Sequence, residues 1–239
     1  MKVTYLEVIH ALKKRQDKQK AVVYQRFFKT AKGQYGEGDQ FFGITVPQQR
    51  IVAKKFFDLS LLDIDKLIRH PVHECRLTAL LIVVHQYQKG DEMRQKKIYD
   101  WYLKNARRIN NWDLVDSSAS YIVGAYLFGQ KKSEWKKVLL SLAQSDNLWE
   151  RRISIISTHY FIRQGVYEPT IRIATQLLSD KHDLIHKACG WMLREMGKKD
   201  ETILQDFLDA YAKQMPRTML RYAIEKMSQG KRKKYLTHM

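Results

Sequence analysis

The sequence predicts an all-α fold, a solenoid of stacked helix pairs with a basic concave face. Three observations carry that prediction. Apolar residues recur at helical spacing from end to end, with no clear alternating strand pattern. All four prolines, Pro47, Pro71, Pro169 and Pro216, fall at helix starts, where a missing N–H costs little. The chain also repeats: His73–Leu77, Asp113–Ser117, Trp149–Ile153, Leu184–Ala188 and Thr218–Tyr222 fall into register. Their fourth positions read Arg76, Asp116, Arg152, Lys187 and Arg221, spaced 40, 36, 35 and 34 residues apart. That spacing suits a HEAT-like array of helix pairs, in which equivalent positions form one row along one surface, usually the concave one.

In chain order, helices are predicted over 3–14, 18–30, 47–57, 60–69, 73–88 and 91–105, then 112–128, 132–143, 148–164, 168–179, 183–197, 200–213 and 217–228. The first is a charged helix without the apolar core of a signal peptide. Between the second and third lies the one real loop, Ala31 to Thr45, with Gly33, Gly36, Gly38 and Gly43. It is either a backbone clamp or a flexible crossing. It lacks the Gly-Lys-Ser/Thr of a phosphate-binding loop, and its acids Glu37 and Asp39 read as solvated. The fifth helix holds the longest apolar run, Leu77 to Val84, far too short to span a bilayer. His70 and His73 flank Pro71 at its start and read as turn and cap residues. Trp101, Trp135 and Trp149 are assigned to the core.

At 239 residues the chain can build one large domain, taken here as 1–239. Its 43 Lys and Arg against 25 Asp and Glu give a net charge of +18, spread along the whole length apart from a small cluster at Lys231–Lys234. The simplest partner of an evenly basic folded protein is a polyanion, nucleic acid first, although a basic solvated surface is the plainer alternative. Anionic membrane is disfavoured, because no helix is basic on one face and purely apolar on the other. Cys75 and Cys189 lie far apart inside apolar helical runs, so buried thiols in a reducing cytoplasm are expected rather than a disulfide framework. No His is placed to activate either thiol. His182 and His186 have a metal-compatible spacing, but no third ligand is evident.

The aligned row is basic four times in five, and Asp116 is the exception. A row of Arg and Lys tracks phosphates without reading sequence, and no base-reading motif is present. An acid in such a row repels phosphate. It is therefore either buried in an ion pair, with Arg152 or Arg107, or kept for chemistry. Trp112 precedes Asp116 by one helical turn, and Trp191 follows Lys187 by one turn, so two indoles could flank the acid. Both could instead be core residues. Glycosidases acting on neutral sugars need two carboxyls, one to protonate the leaving group. A cationic alkylated purine leaves without that acid, so one Asp beside electron-rich indoles can stabilise an oxocarbenium-like sugar and orient water.

The motifs Trp112-Asp-Leu-Val-Asp116, Ser145-Asp-Asn-Leu-Trp-Glu-Arg-Arg152 and Lys187-Ala-Cys-Gly-Trp191-Met-Leu-Arg194-Glu resemble those of the AlkD-type DNA alkylation-repair glycosylases. Arg26-Phe-Phe-Lys-Thr30, Tyr35-Gly-Glu-Gly-Asp39 and Gly43-Ile-Thr-Val-Pro47 are similar to that family's N-terminal signature. The resemblance covers nearly the whole chain. It implies a monomeric HEAT-like solenoid in the cytoplasm, associated with the nucleoid, that holds duplex DNA on its basic concave face. It also implies removal of purines alkylated at N3 or N7 without metal, cofactor or base flipping. By the same resemblance Asp116 would stabilise the sugar cation, Trp112 and Trp191 would pack on the deoxyribose, and Arg152 would hold the adjacent backbone. Arg76, Lys187, Arg221 and Phe27 are the further DNA contacts expected. Two departures stand out: the family has Trp where this chain has Asn111, and Tyr where it has Phe27. A non-catalytic scaffold for bent or branched DNA, and a HEAT-type adaptor for an acidic protein, are the rival readings.

Overall fold

The computed structural model describes residues 3–237, and those residues are helical with no β-strand. A single isolated bridge pairs Gln40 with Val72. Two compact units divide the chain, Met1–Ile122 and Val123–Met239.

The N-terminal unit contains α1 (Tyr5–Lys13), α2 (Lys18–Phe27), α3 (Val46–Lys55), α4 (Leu61–Ile68), α5 (His73–Lys89), α6 (Glu92–Lys104) and α7 (Trp112–Asp116). Apart from α5, whose start at Val72 has no side-chain cap, its helix starts are capped by side chains, as orphaned helix N–H groups require. Thr4 with Glu7 and Thr45 with Gln48 form capping boxes, and Asp17, Ser60 and Asp91 accept from the first turns of α2, α4 and α6. Every residue of α5 from His73 to Val83 is buried, and α3, α4, α6 and α7 pack around it. A helix buried on all sides is the centre of its layer rather than a surface element.

The C-terminal unit contains α8 (Ala125–Phe128), α9 (Lys132–Ala143), α10 (Leu148–Arg163), α11 (Glu168–Gln176), α12 (Asp183–Lys199), α13 (Glu201–Tyr211), α14 (Arg217–Ala223) and α15 (Gln229–Thr237). Here the repeat is plain. The helix α9 packs on α10, α11 on both α10 and α12, and α13 on α12, while α10, α12 and α14 stack in that order. The helix α12 buries Ile185, Ala188, Cys189, Met192, Leu193 and Met196, a stripe at the i, i+3, i+4, i+7 spacing. Gly190 lets α12 meet α14 backbone to backbone: a Cβ there would lie 2.4 Å from the Met219 carbonyl oxygen.

Two elements differ from expectation. The predicted helix 112–128 is interrupted, with α7 ending at Asp116 and a π-turn over Ser120–Gly124 before α8. The basic cluster Lys231–Lys234 is itself helical, forming α15. Lys231 pairs with Glu201, and Lys234 and Tyr235 with Asp209, which docks it on α13. Trp135 and Trp149 are core residues as expected, whereas Trp101 is only half-buried and donates to Asp65. Both cysteines are buried free thiols, and burial pushes each upward, Cys75 to about 12. No helix among the described residues is long and apolar enough to cross a membrane.

Candidate active site

The short helix α7 begins at Asn111, whose extended backbone and side-chain oxygen cap it by accepting from the Trp112 N–H at 2.8 Å. Trp112 and Asp116 stand four residues apart on this helix, hence on one side of it, and both are partly exposed. Just past Asp116 the regular ladder gives way to the π-turn, a device often found at functional sites. Ser118 donates to the Leu114 carbonyl at 2.6 Å and shares a hydrogen bond of 2.8 Å with the buried Tyr102 hydroxyl. Burial, with the nearby negative charge of Asp116, pushes that hydroxyl upward. Asp116 thus sits at the end of a firmly held turn.

Aromatic stacking fixes Trp112. Its indole stacks on Phe28 at 5.4 Å and 22°, and Phe28 stacks on Phe41 at 5.2 Å and 15°. Phe27, 60% exposed, meets the same indole edge-on at 5.8 Å. The His73 ring lies against both Phe28 and Phe41 at 4.8 and 5.0 Å. Such offset and edge contacts contribute roughly 0.5–1.5 kcal/mol each beyond their buried area.

Beneath the rings is a polar hub. His73 bridges two carboxylates, Nε2 to Asp113 at 2.8 Å and Nδ1 to Asp39 at 3.1 Å. Burial opposes a charge on this ring, but Asp113 and Asp39 outweigh it and hold the imidazole up to about 9. It is therefore an imidazolium at neutral pH, donating from both nitrogens. Burial works against the Asp39 charge as well, yet His73 and Arg76 hold that carboxyl below its ordinary value. The Arg76 guanidinium donates to Asp39 at 2.7 Å and to the carbonyls of His70 and Pro71 at 3.1 and 3.2 Å. Asn111 Nδ2 donates to Asp39 at 3.3 Å.

The glycine-rich loop is a clamp. Glu74 accepts the N–H groups of Phe42, Gly43 and Ile44 at 3.0, 2.8 and 3.1 Å. His73 N–H donates to the Gln40 carbonyl at 2.8 Å. Gly43 has φ +81, and a Cβ there would fall 2.0 Å from the Asp17 carbonyl oxygen at the start of α2. Asp39 and Glu74 thus tie the loop to α5, and His73 and Asn111 tie it onward to α7.

Of the residues expected at a DNA-facing site, the N-terminal unit brings Phe27, Trp112 and Asp116 together. In the C-terminal unit Trp191 and Lys187 share one turn of α12. Trp191 is half-buried, donates to Glu195 at 3.2 Å and has the His159 ring at 6.0 Å. Lys187 pairs with Asp183 at 2.7 Å, and Arg221 is exposed on α14. Arg76 and Arg152 require correction. Arg76 is 5% exposed and committed to Asp39 and two carbonyls, and Arg152 is 4% exposed and donates to the Leu184 carbonyl at the start of α12. A guanidinium engaged inside the protein is not presented to phosphate. Asp39 is likewise buried, not solvated, and His73 is a bridging cation more than a cap. Sequence reading missed Phe28, Phe41, Asp39, His73 and Asp113 as a unit because the partners of the hub lie 34, 40 and 72 residues apart. Among the described residues no cluster of His, Cys, Asp and Glu could hold a metal ion.

The sequence model of the family described as DNA alkylation repair enzyme matches residues 8–227. Among solved structures the chain is similar to a predicted DNA alkylation repair enzyme from Enterococcus faecalis, with TM-score 0.71 and 13% identity over 90% of this chain and 98% of that one. It is also similar to smu.31 from Streptococcus mutans UA159, with TM-score 0.54 and 14% identity over 94% of this chain and 98% of that one. At such identities the likeness speaks for the helical fold alone, and no curated protein matches the chain. The family match takes in α7, its mount and the stacked helices α10, α12 and α14 of the C-terminal unit: the chain belongs to the DNA alkylation repair enzyme family.

Proposed function

We propose that the protein is a monofunctional DNA glycosylase that releases cationic N3- or N7-alkylated purines from duplex DNA and leaves an abasic site. The observation that carries this reading is the pairing on α7 of a partly exposed indole and a partly exposed carboxylate one turn apart. In the proposed reaction the bond between C1′ and the purine nitrogen breaks and its electron pair passes to the already cationic base, which leaves neutral. Asp116 stabilises the oxocarbenium-like sugar and accepts a proton from the water that adds at C1′. Trp112 offers an electron-rich face to the developing cation, and Trp191 is proposed to pack on deoxyribose. Lys187 and Arg221 neutralise phosphates, and Phe27 contacts the duplex beside Trp112. Arg76 and Arg152 act inside the protein, through the hub and through the α10–α12 step. No metal, cofactor or flipped base is invoked, and the working state is a cytoplasmic monomer on nucleoid DNA.

A second reading has one observation behind it. Asn111 is wholly buried where the resemblance expects a Trp, so a non-catalytic scaffold for bent or branched DNA could bind duplex with one sugar support fewer. Incubating the protein with N7-methylated duplex separates the two. Free 7-methylguanine and an alkali-labile strand are expected from the glycosylase. Binding without release would establish the scaffold.

A further inference from the structure

Between α3, α5 and the turn after α7 the N-terminal unit holds a cleft of about 290 Å³. Arg50 and Lys54 of α3, His85 and Gln88 of α5, and then Ser117 and Tyr121 give it a polar lining. Ala53, Leu81 and Val84 supply the apolar remainder, and no carboxylate takes part. Arg50 and Lys54 are exposed and four residues apart, so two cations stand on one side of α3, an arrangement that weakens a helix. Neither has a hydrogen bond or ion pair among the described residues. Other helices of this unit set an acid three or four residues from a base instead: Asp63 with Lys66, Asp65 with Arg69, Asp100 with Lys96. The exposed Gln88 amide is likewise uncommitted, whereas the Ser117 hydroxyl donates to the Leu114 carbonyl at 3.3 Å. The His85 ring is held edge-on to Phe57 at 5.6 Å. Two uncompensated cations and an amide donor beside an apolar floor suit an anion that carries carbon, which describes a phosphate ester.

We infer that this cleft is a phosphodiester subsite: Arg50 and Lys54 together seat one backbone phosphate of a DNA strand, Gln88 donates to it, and the attached sugar lies on Ala53, Leu81 and Val84. Ser117 directly follows Asp116 in the chain, so a strand anchored here passes close to the acid. Arg50 and Lys54 are thereby positioning residues. The choice of a DNA strand rests on the duplex-binding half of the proposed function. It does not rest on the glycosylase step, because holding a phosphate needs no bond to break. Free phosphate is the other source of the same chemistry.

The test is the salt dependence of the full chain's affinity for an unmodified duplex, with Arg50→Gln and Lys54→Gln made singly and together. Each phosphate neutralised contributes about 0.9 to the slope of log affinity against log salt. Two cations on one phosphate should therefore lower the slope by about one in the double variant, whereas two separate contacts would lower it by about two. Gln88→Glu keeps both cations but sets a carboxylate in the cleft, and it too should lower the slope by about one. All three positions are exposed, so helical circular dichroism should stay at the wild-type level. An unchanged slope in the double variant, a loss of about two, or a wild-type slope in Gln88→Glu would each overturn the subsite. So would saturable binding of inorganic phosphate that the double variant loses while its duplex slope is kept, since the cleft would then hold a free ion. An unchanged slope in a protein that releases 7-methylguanine from methylated duplex strikes the subsite and leaves the glycosylase. A lowered slope in a protein that releases nothing does the reverse.

Discussion

The N-terminal unit surrounds α5 with buried charge, whereas the C-terminal unit stacks α10, α12 and α14 largely through apolar and small residues. In the first, Asp39, His73, Asp113, Arg76 and Glu74 bond one another or backbone groups. In the second, the contacts are of the kind made by Gly190 against Met219 and by the Ile185–Met196 stripe. A buried charge network is poor at adding net stability but severe when one member is removed, and it fixes a single arrangement of its parts. Apolar stacking tolerates change more evenly. The network lies under the helix that carries Trp112 and Asp116, where placement matters most.

The largest effect should come from breaking that network. His73→Ala leaves Asp39 and Asp113 buried without their shared cation, and it should lower unfolding stability by about 3–5 kcal/mol in urea. A loss like that of an ordinary surface substitution would mean the hub is not the keystone of its unit. The same group predicts a pH signature. The folded ring keeps its proton up to about 9, while the unfolded one releases it near 6.5. Its stabilisation is thus complete below the unfolded value and fades as pH rises through the folded one, a change of about 3 kcal/mol. His73→Gln should flatten that alkaline decline, and an unchanged decline would assign it to other groups. Asp39, held low, contributes in the opposite sense, its share being lost only as pH falls into the acid range.

In the C-terminal unit the corresponding probe is Gly190→Ala. The added methyl meets the Met219 carbonyl oxygen, and a cost of about 1–3 kcal/mol is expected from overpacking. A neutral result would show that α12 and α14 can separate freely. Smallest of all, Arg221→Ala should reduce the salt slope of duplex binding by about one while leaving stability unchanged. Arg76→Lys should do the reverse, weakening the fold without moving the slope.

The same contrast explains what could be read from the chain. The pairs of the C-terminal unit follow from residues a few positions apart, so the near-constant spacing of Arg152, Lys187 and Arg221 revealed them. Trp112 and Asp116 were legible for the same local reason. The hub was not, because helical periodicity carries no information about which distant polar residues meet. His73 read as a cap and Asp39 as solvated, since their partners are visible only once α5, α7 and the glycine loop converge. The row register also could not tell an outward guanidinium from an inward one. That is why Arg76 and Arg152 carried the right charge in the wrong setting.

Most direct for the central claim is single-turnover release of 7-methylguanine by wild type and Asp116→Asn, with duplex affinity measured on the same samples. Release by the wild type, near-complete loss in the variant, and affinity kept or improved are predicted, because the acid stabilises a sugar cation and repels phosphate. Release by Asp116→Asn at the wild-type rate would contradict the account.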